Sequence, residues 1–354
     1  MTTLFKNELI NFYKGKKVFI TGHSGFKGCW LRLCLEYLGA EVFGYSLPPN
    51  TRPNFYSLLE HGNDIFGDVL DFEKLLNSMN HFQPDIVFHL AAQPLVRLSY
   101  QEPILTYQTN VIGSLNALEA ARVVNSIKAF VNVTTDKCYE NIEQQYKYKE
   151  TDRLGGYDMY SSSKACVEIL SSSYRSSFLN DNNGYILATA RAGNVIGGGD
   201  WSIDRLIPDC IKSFNQNKEV ELRSPNAIRP WQHVLDPLFG YILLAKRMFE
   251  EGKKYAESFN FAPNDGNFKT VEEIVQTFIK FYGSGQYRNV PDYSVHEANI
   301  LMLDNEKAKN VLGWHPLIGI DEAIEMSANW YKAFQEGANM QKISLEQIER
   351  YMEK

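Results

Sequence analysis

A chain of 354 residues with 44% hydrophobic and 22% charged side chains suits a large α/β domain plus a smaller lobe, and excludes a disordered or fibrous protein. Its formal net charge of −6 argues against a nucleic-acid partner, so any phosphate must be caught by local dipoles and a few arginines. Five cysteines without a CxxC pair and seven histidines without ligand spacing point to reduced thiols and no metal site.

The opening stretch MTTLFKNELINFYKGKK lacks the apolar core of a signal peptide. No run approaches the roughly 18 apolar residues of a membrane span, so a cytoplasmic protein with no membrane partner is expected. Lys16 to Thr21 (KKVFIT) reads as a buried strand, followed by a glycine turn from Gly22 to Gly28. Apolar spacing predicts a helix from Cys29 to Leu38, ended by Gly39, and a second strand from Glu41 to Leu47. This is one βαβ unit of about thirty residues.

The alternation continues with a strand at Asp64 to Gly67 and a helix at Phe72 to Phe82. A strand at Asp85 to Leu90 runs into Ala91 and Ala92, before a helix from Tyr107 to Asn125. Ala129 to Thr134 is a strand, Met159 to Phe178 a helix, and Tyr185 to Ala190 a strand. Such alternation predicts an α/β fold: a Rossmann-type doubly wound parallel sheet with helices on both faces. The string Gly197-Gly198-Gly199-Asp200 reads as a flexible break into a smaller C-terminal α/β substrate lobe. Ser258 to Phe261 is expected to return to the sheet, and helices are expected at Thr270 to Tyr282 and Asp304 to Leu312. The domains are therefore residues 1–196, with a return strand near 258–262, and an interleaved lobe of 197–354.

The glycine turn has the spacing GxxGxxG between a predicted strand and helix. In that setting Gly22 permits the turn, Gly25 lets backbone approach a pyrophosphate, and Gly28 lets the helix pack on the strand. The helix N-terminus then faces the phosphates. The cofactor loop comprises Gly22, Ser24, Gly25, Phe26, Lys27 and Gly28, with Asp68, Val69, Leu90, Ala91 and Ala92 at later strand ends. Asp68 is placed to accept from the adenine amino group or to cap a helix. An acid for the ribose 2′-hydroxyl is missing from Gly44-Tyr45-Ser46-Leu47, and Arg52 lies five residues on. NAD is the expected cofactor, and Arg52 leaves NADP open.

Tyr160 and Lys164, four residues apart in a predicted helix, share one face. A neighbouring ammonium favours the phenolate, which can take a hydroxyl proton while hydride leaves the same carbon. Alone, YxxxK is more often a surface pair; its weight here comes from following the strand that ends near Thr135.

With the glycine turn, Ala91-Ala92 and YxxxK in this order, the chain resembles the extended short-chain dehydrogenase/reductase family over nearly its whole length. Six strings resemble its sugar-nucleotide dehydratase group, and within it the CDP-glucose branch. They are TGHSGFKGCWL (Thr21 to Leu31), AAQPLVRLSY (Ala91 to Tyr100), TTDKCYEN (Thr134 to Asn141), GGYDMYSSSK (Gly155 to Lys164), RAGNVIGGGDW (Arg191 to Trp201) and RPWQHVLDP (Arg229 to Pro237). The resemblance implies internal redox chemistry through bound NAD on a nucleotide sugar, with CDP-glucose as substrate. Tyr160 would deprotonate the 4-hydroxyl as hydride leaves C4, water would leave across C5 and C6, and hydride would return to C6. Related dehydratases carry Thr-Asp-Glu where this chain has Thr135-Asp136-Lys137. Thr135 and Asp136 carry over as holder of the 4-hydroxyl and acid for the 6-hydroxyl. Lys137 would be the C5 base, or an electrostatic stabiliser of the enolate; a solvated pairing with Asp136 or Glu140 is its bland reading.

Arg229 is expected to clamp the diphosphate and Asn194 to bind phosphate or sugar, with Arg97 and Arg205 as further contacts. A surface salt bridge is the rival for each arginine. Trp201, Trp231 and Tyr100 read as packing residues. By analogy with the family, a homodimer is expected through the helices Tyr107 to Asn125 and Met159 to Phe178. An epimerase, a dehydratase of another nucleotide sugar, or a non-catalytic binding regulator are the competing functions; Asp136 favours dehydration over epimerisation.

Overall fold

The structure is a computed structural model that describes residues 3–179, 184–264, 268–292, 298 and 300–354. Seven strands build the main sheet: β1 Lys17–Thr21, β2 Glu41–Ser46, β3 Asn63–Phe66, β4 Ile86–His89, β5 Ala129–Val133, β6 Ile186–Ala192 and β7 Ser258–Phe261. They are ordered β7-β6-β5-β4-β1-β2-β3, and every pairing is parallel. All residues of β4 and β5 are buried, as expected where helices cover both faces.

Alternation along each strand sorts the core into two layers. Val18 and Ile20 face a large cluster with helices α2 (Phe26–Tyr37) and α9 (Leu235–Glu251); Phe19 faces the opposite cluster with α3 (Phe72–Phe82), α6 (Gly113–Val123) and α7 (Met159–Phe178). In α9, 13 of 17 residues are buried, because it lies between the sheet and the C-terminal helices. The remaining helices are α1 Thr3–Tyr13, α4 Val96–Gln101, α5 Pro103–Tyr107, α8 Leu206–Asn215, α10 Val271–Tyr282, α11 Ile320–Gln335 and α12 Met340–Glu353.

Several boundaries differ from expectation for identifiable reasons. Helix α2 starts at Phe26 and not Cys29, because Gly25 is its N-cap and Gly28 lies inside the first turns. Helix α5 runs through a π turn at Gln108–Ile112 into α6, so the expected single helix begins earlier and ends at Val123. In place of a regular helix at Asp304 to Leu312 stands a π turn at Ala308–Leu312, closed by Gly313 at φ 72°. Helix α1 was not foreseen; it anchors through buried Leu9 and through Tyr13, whose hydroxyl donates to the Ile242 carbonyl at 2.7 Å.

The string Gly197 to Gly199 is a site of close packing and not a flexible break. A Cβ on Gly198 would lie 2.0 Å from the Trp330 ring, and Gly199, at φ +87°, abuts Phe55. Trp30 also donates its indole N–H to the Gly198 carbonyl at 2.9 Å. These contacts fasten the glycine string between α2, Phe55 and α11.

Candidate active site

The chain order reverses between β1 and β4, and a crevice opens outside their carboxyl ends. The cavity there is about 720 Å³. Its floor is the glycine turn. Gly22 has φ +76°, and a Cβ on it would meet Ala91 N at 2.7 Å; one on Gly28 would meet the Gly22 carbonyl at 2.1 Å. Both glycines are required by contacts within the chain. Gly25 is different: its nearest neighbour would be 3.4 Å away, so its bareness serves the cavity it lines. As an N-cap with no side-chain cap, it leaves the first N–H groups of α2 for an anion.

Ser24 donates to the Leu47 carbonyl and receives from Ser46, both at 2.8 Å, pinning this loop to the end of β2. Phe26, Asp68, Val69, Leu90, Ala91 and Ala92 line the same crevice. Asp68 accepts from the Leu70 N–H, while the cap of α3 is Asp71. Arg52 is exposed and outside the lining, where Ser46, Asn50, Thr51 and Asn54 stand instead. The cation that would favour a 2′-phosphate is therefore not at the site. Bare glycine cradle, open helix N-terminus and neutral ribose end together fit a dinucleotide such as NAD.

Thr135, Asp136 and Lys137 follow β5 and face the crevice with Tyr160 and Lys164. The Thr135 hydroxyl donates to Asp136 Oδ1 at 3.0 Å and accepts the Lys137 N–H at 3.3 Å. Asp136 is 2% exposed and its Oδ2 has no hydrogen-bond partner among the described residues. Burial pushes its pKa up, against the pull of Lys137, Thr135, Arg229 and Lys27. A carboxyl that holds its proton more tightly in this way is suited to act as a proton donor.

Asp158 caps α7, accepting from Ser161 N at 2.8 Å, and so sets the rotation of Tyr160 and Lys164. Burial pushes the phenol up to about 12, against a hydrogen bond with Thr135 and the charge of Arg205. The Lys164 ammonium donates to the Val133 carbonyl at 3.3 Å. Burial lowers Lys164 to about 8, with Glu168 opposing.

Glu168, one turn further along α7, was missed, although its i+4 spacing from Lys164 was available. It forms a buried ion pair with Arg191 at 2.7 Å and accepts from Thr134, Thr189 and Ser258. Gly193 was also missed: a Cβ there would meet Pro230 at 2.6 Å and Asp136 Oδ2 at 2.9 Å. Only the fold could show that.

The expected substrate contacts all line the cavity, in different states. Arg229 is buried and its guanidinium bonds the Ile228 carbonyl at 3.0 Å. Arg205 reaches the Pro94 carbonyl at 3.5 Å. The Asn194 backbone carbonyl accepts the Gln232 N–H at 3.1 Å, and the residue lines the cavity. Arg97 is committed to an ion pair with Asp292 at 2.6 Å, the rival reading of its role. Arg223, overlooked in the sequence, lines the wall and pairs with Asp204 at 2.6 Å. Trp201 packs on Trp330, Tyr331 and Phe334. Among the described residues no cluster of metal-ligating side chains occurs, and no helix is long and apolar enough to cross a membrane.

The family model described as GDP-mannose 4,6 dehydratase matches residues 19–327. The chain belongs to this family. It is 49% identical over 351 residues to the CDP-glucose 4,6-dehydratase of Salmonella typhimurium, covering 97% of this chain and 98% of that one. A solved epimerase from Methanothermobacter thermautotrophicus has the same fold, with a TM-score of 0.83 at 23% identity, covering 96% of this chain and 98% of that one. So does the dTDP-glucose 4,6-dehydratase of Bacillus anthracis in complex with NAD, with a TM-score of 0.74 at 22% identity, covering 92% and 100%.

Proposed function

We propose that this dehydratase-family protein converts CDP-glucose to CDP-4-keto-6-deoxyglucose by internal hydride transfer, as a step in deoxysugar and surface-polysaccharide biosynthesis. The observation that carries the reading is the convergence of Thr135, Asp136, Lys137 and Tyr160 on one crevice beside the glycine cradle. The 49% identity to a CDP-glucose 4,6-dehydratase supports the choice of nucleotide. Residues 1–196 with β7 act as the cofactor-binding part and the remainder as the substrate lobe.

NAD, when bound, supplies the hydride acceptor for C4 and, once reduced, the donor for C6. Tyr160 takes the 4-hydroxyl proton, with Thr135 holding that hydroxyl. Lys164 holds the nicotinamide ribose. Lys137, in its neutral amine form, removes the C5 proton, made acidic by the 4-ketone. Asp136, whose pKa burial raises, gives its proton to the leaving 6-hydroxyl, which departs as water. Arg229, Arg205 and Asn194 hold the diphosphate and sugar, with Arg97 joining once released from Asp292.

The functional unit is a homodimer, supported by apolar side chains left exposed on α5, the π turn, α6 and α7: Ile104, Leu105, Ile112, Val123 and Ile169. Light scattering on a sizing column tests it; a monomer at micromolar concentration refutes it. The activity is tested by incubating the purified protein and NAD with CDP-, dTDP-, GDP- and UDP-hexoses, then reading ultraviolet absorbance after alkali. Keto sugar from CDP-glucose above the others is the expected result. No keto sugar from any of them refutes the dehydratase.

A further inference from the structure

Helix α8 forms part of the crevice wall that the C-terminal lobe supplies. Its apolar face, Ile207, Cys210, Ile211 and Phe214, packs into the large core cluster with Val220 and Leu222. Asp209 stands in its first turn, half-buried, and lines the cavity. The other acids that this lobe brings to the lining are engaged. Asp204 pairs with Arg223 at 2.6 Å, Glu221 pairs with Arg288, and Asp200 accepts the Ser202 N–H at 3.0 Å. The Asp209 carboxylate has no hydrogen-bond or ion-pair partner among the described residues. A carboxylate half out of water and unpaired is an acceptor in want of a donor.

Its place in the fold says which part of a nucleotide sugar would meet it. Arg205 is the N-cap of α8 and donates to the Pro94 carbonyl, in the part of the chain that holds the glycine cradle, at 3.5 Å. Asp209 is four residues on, and its N–H closes the turn onto the Arg205 carbonyl at 2.9 Å. Side chains so spaced share a helix face, about 5–6 Å apart. With the sugar at Thr135 and Tyr160 and the diphosphate at Arg205, the nucleoside lies beyond the diphosphate, within reach of Asp209. The strand Val220–Leu222 supplies a neutral surface to the same cavity. It pairs in parallel with Tyr287–Asn289, using the Val220 N–H at 2.9 Å and the Leu222 carbonyl at 3.0 Å. Alternation turns the Glu221 N–H and carbonyl to the other edge, and Glu221 lines the cavity. One donor and one acceptor of that kind suit any base. A carboxylate does not.

We propose that Asp209 is the specificity-determining residue for the nucleotide base, accepting a hydrogen bond from the exocyclic amine of cytosine. Cytosine presents its N4 amino donor where uracil and thymine present the O4 acceptor. A carboxylate accepts from the first and repels the second, so one group both selects and excludes. Burial raises the Asp209 pKa to about 6, against the charges of Arg223 and Lys212, which leaves it mostly ionised and accepting above neutral pH.

This deepens the dehydratase reading and rests on it, and the test separates the two. Calorimetric titration with CDP and UDP, which lack the sugar, reads the base alone. At pH 7.5 with NAD present, the wild type should bind CDP roughly 5- to 150-fold tighter than UDP. Asp209→Asn offers N–H or oxygen as its amide turns, so the ratio should fall to within about threefold, mainly by improved UDP binding. Asp209→Leu should bring it near one by weakening CDP. The carboxylate bonds to nothing in the fold, so both variants should fold; Asp209→Asn serves alone if the leucine variant is insoluble. With CDP-glucose, KM should rise while kcat stays within about twofold, because no reacting atom is touched. A CDP-to-UDP ratio unchanged by the substitutions, or equal weakening of both nucleotides, overturns the inference. So does a wild type that binds UDP as tightly as CDP. A protein whose CDP preference depends on Asp209 but that forms no keto sugar overturns the dehydratase reading instead.

Discussion

Replacing Glu168 with leucine should destabilise the fold more than most single changes outside the apolar core. The carboxylate is 2% exposed and joins four elements: Thr134 after β5, Thr189 and Arg191 of β6, Ser258 of β7, and its own α7. Removing it strands a guanidinium that is itself 2% exposed. Breaking a buried pair from one side costs about 3–5 kcal/mol, largely because the remaining charge is uncompensated. In a chain of this size that is a loss of roughly 4–7 °C in melting temperature. Burial alone would raise the Glu168 pKa, but Arg191 and the Thr134 and Thr189 hydroxyls hold it below the usual carboxylate value. A folded pKa below the unfolded one contributes stability above the unfolded pKa, lost as pH falls through the folded value. The wild type should therefore lose stability below about pH 4.5, and the variant should lose less over that window. Calorimetry of the wild type, Glu168→Leu, Arg191→Leu and the double variant is the assay. The double variant should recover most of the loss, because two leucines leave no charge behind. A single variant melting within about 2 °C of wild type would refute the account.

Tyr160→Phe should lower turnover by at least about a hundredfold while cofactor affinity changes little, measured as keto-sugar rate and fluorescence titration; near-normal turnover would remove Tyr160 as the base. Gly28→Ala and Gly25→Ala should part company. The first drives a methyl into backbone at 2.1 Å and should give little folded protein by circular dichroism. The second meets nothing closer than 3.4 Å and should fold normally but bind NAD more weakly. Of the five free cysteines, Cys29, Cys34, Cys138 and Cys210 are buried and Cys166 is half-buried, so native protein should release about one equivalent of Ellman chromophore, from Cys166.

Helix α7 was legible residue for residue, because apolar periodicity and a capping aspartate act locally and agree. The sheet was legible for the same reason: parallel strands buried on both faces leave continuous apolar runs. What failed depended on contacts far along the chain. Three glycines in a row read as freedom, yet Gly198 is bare to admit Trp330, more than a hundred residues later. Lys27 sat in the cofactor loop by its motif, and only the packing of α2 on α9 aims its side chain past the loop. The Tyr160 and Lys164 spacing correctly put both on one face but could not reveal how strongly burial would act on the phenol.

In the proposed reaction Asp136 gives up a proton and Tyr160 takes one; burial, which raises both pKa values, helps the first and opposes the second. With the phenol near 12, the protein alone is a poor base at neutral pH. A single positive charge at about 4 Å, with an effective dielectric near 20, is worth ~4 kcal/mol, or about three pKa units. The oxidised nicotinamide ring carries such a charge and the reduced ring does not. Tyrosinate absorbance near 295 nm, taken as the difference between wild type and Tyr160→Phe, should therefore titrate at a markedly lower pH with NAD⁺ than without it, and return upward with NADH. Each turnover would then switch its own base on when oxidised cofactor is in place and off once hydride has moved. Equal titration with both cofactor forms would show that Tyr160 does not sense the ring, and would place the source of its activation in the protein's own cations, Arg205 first.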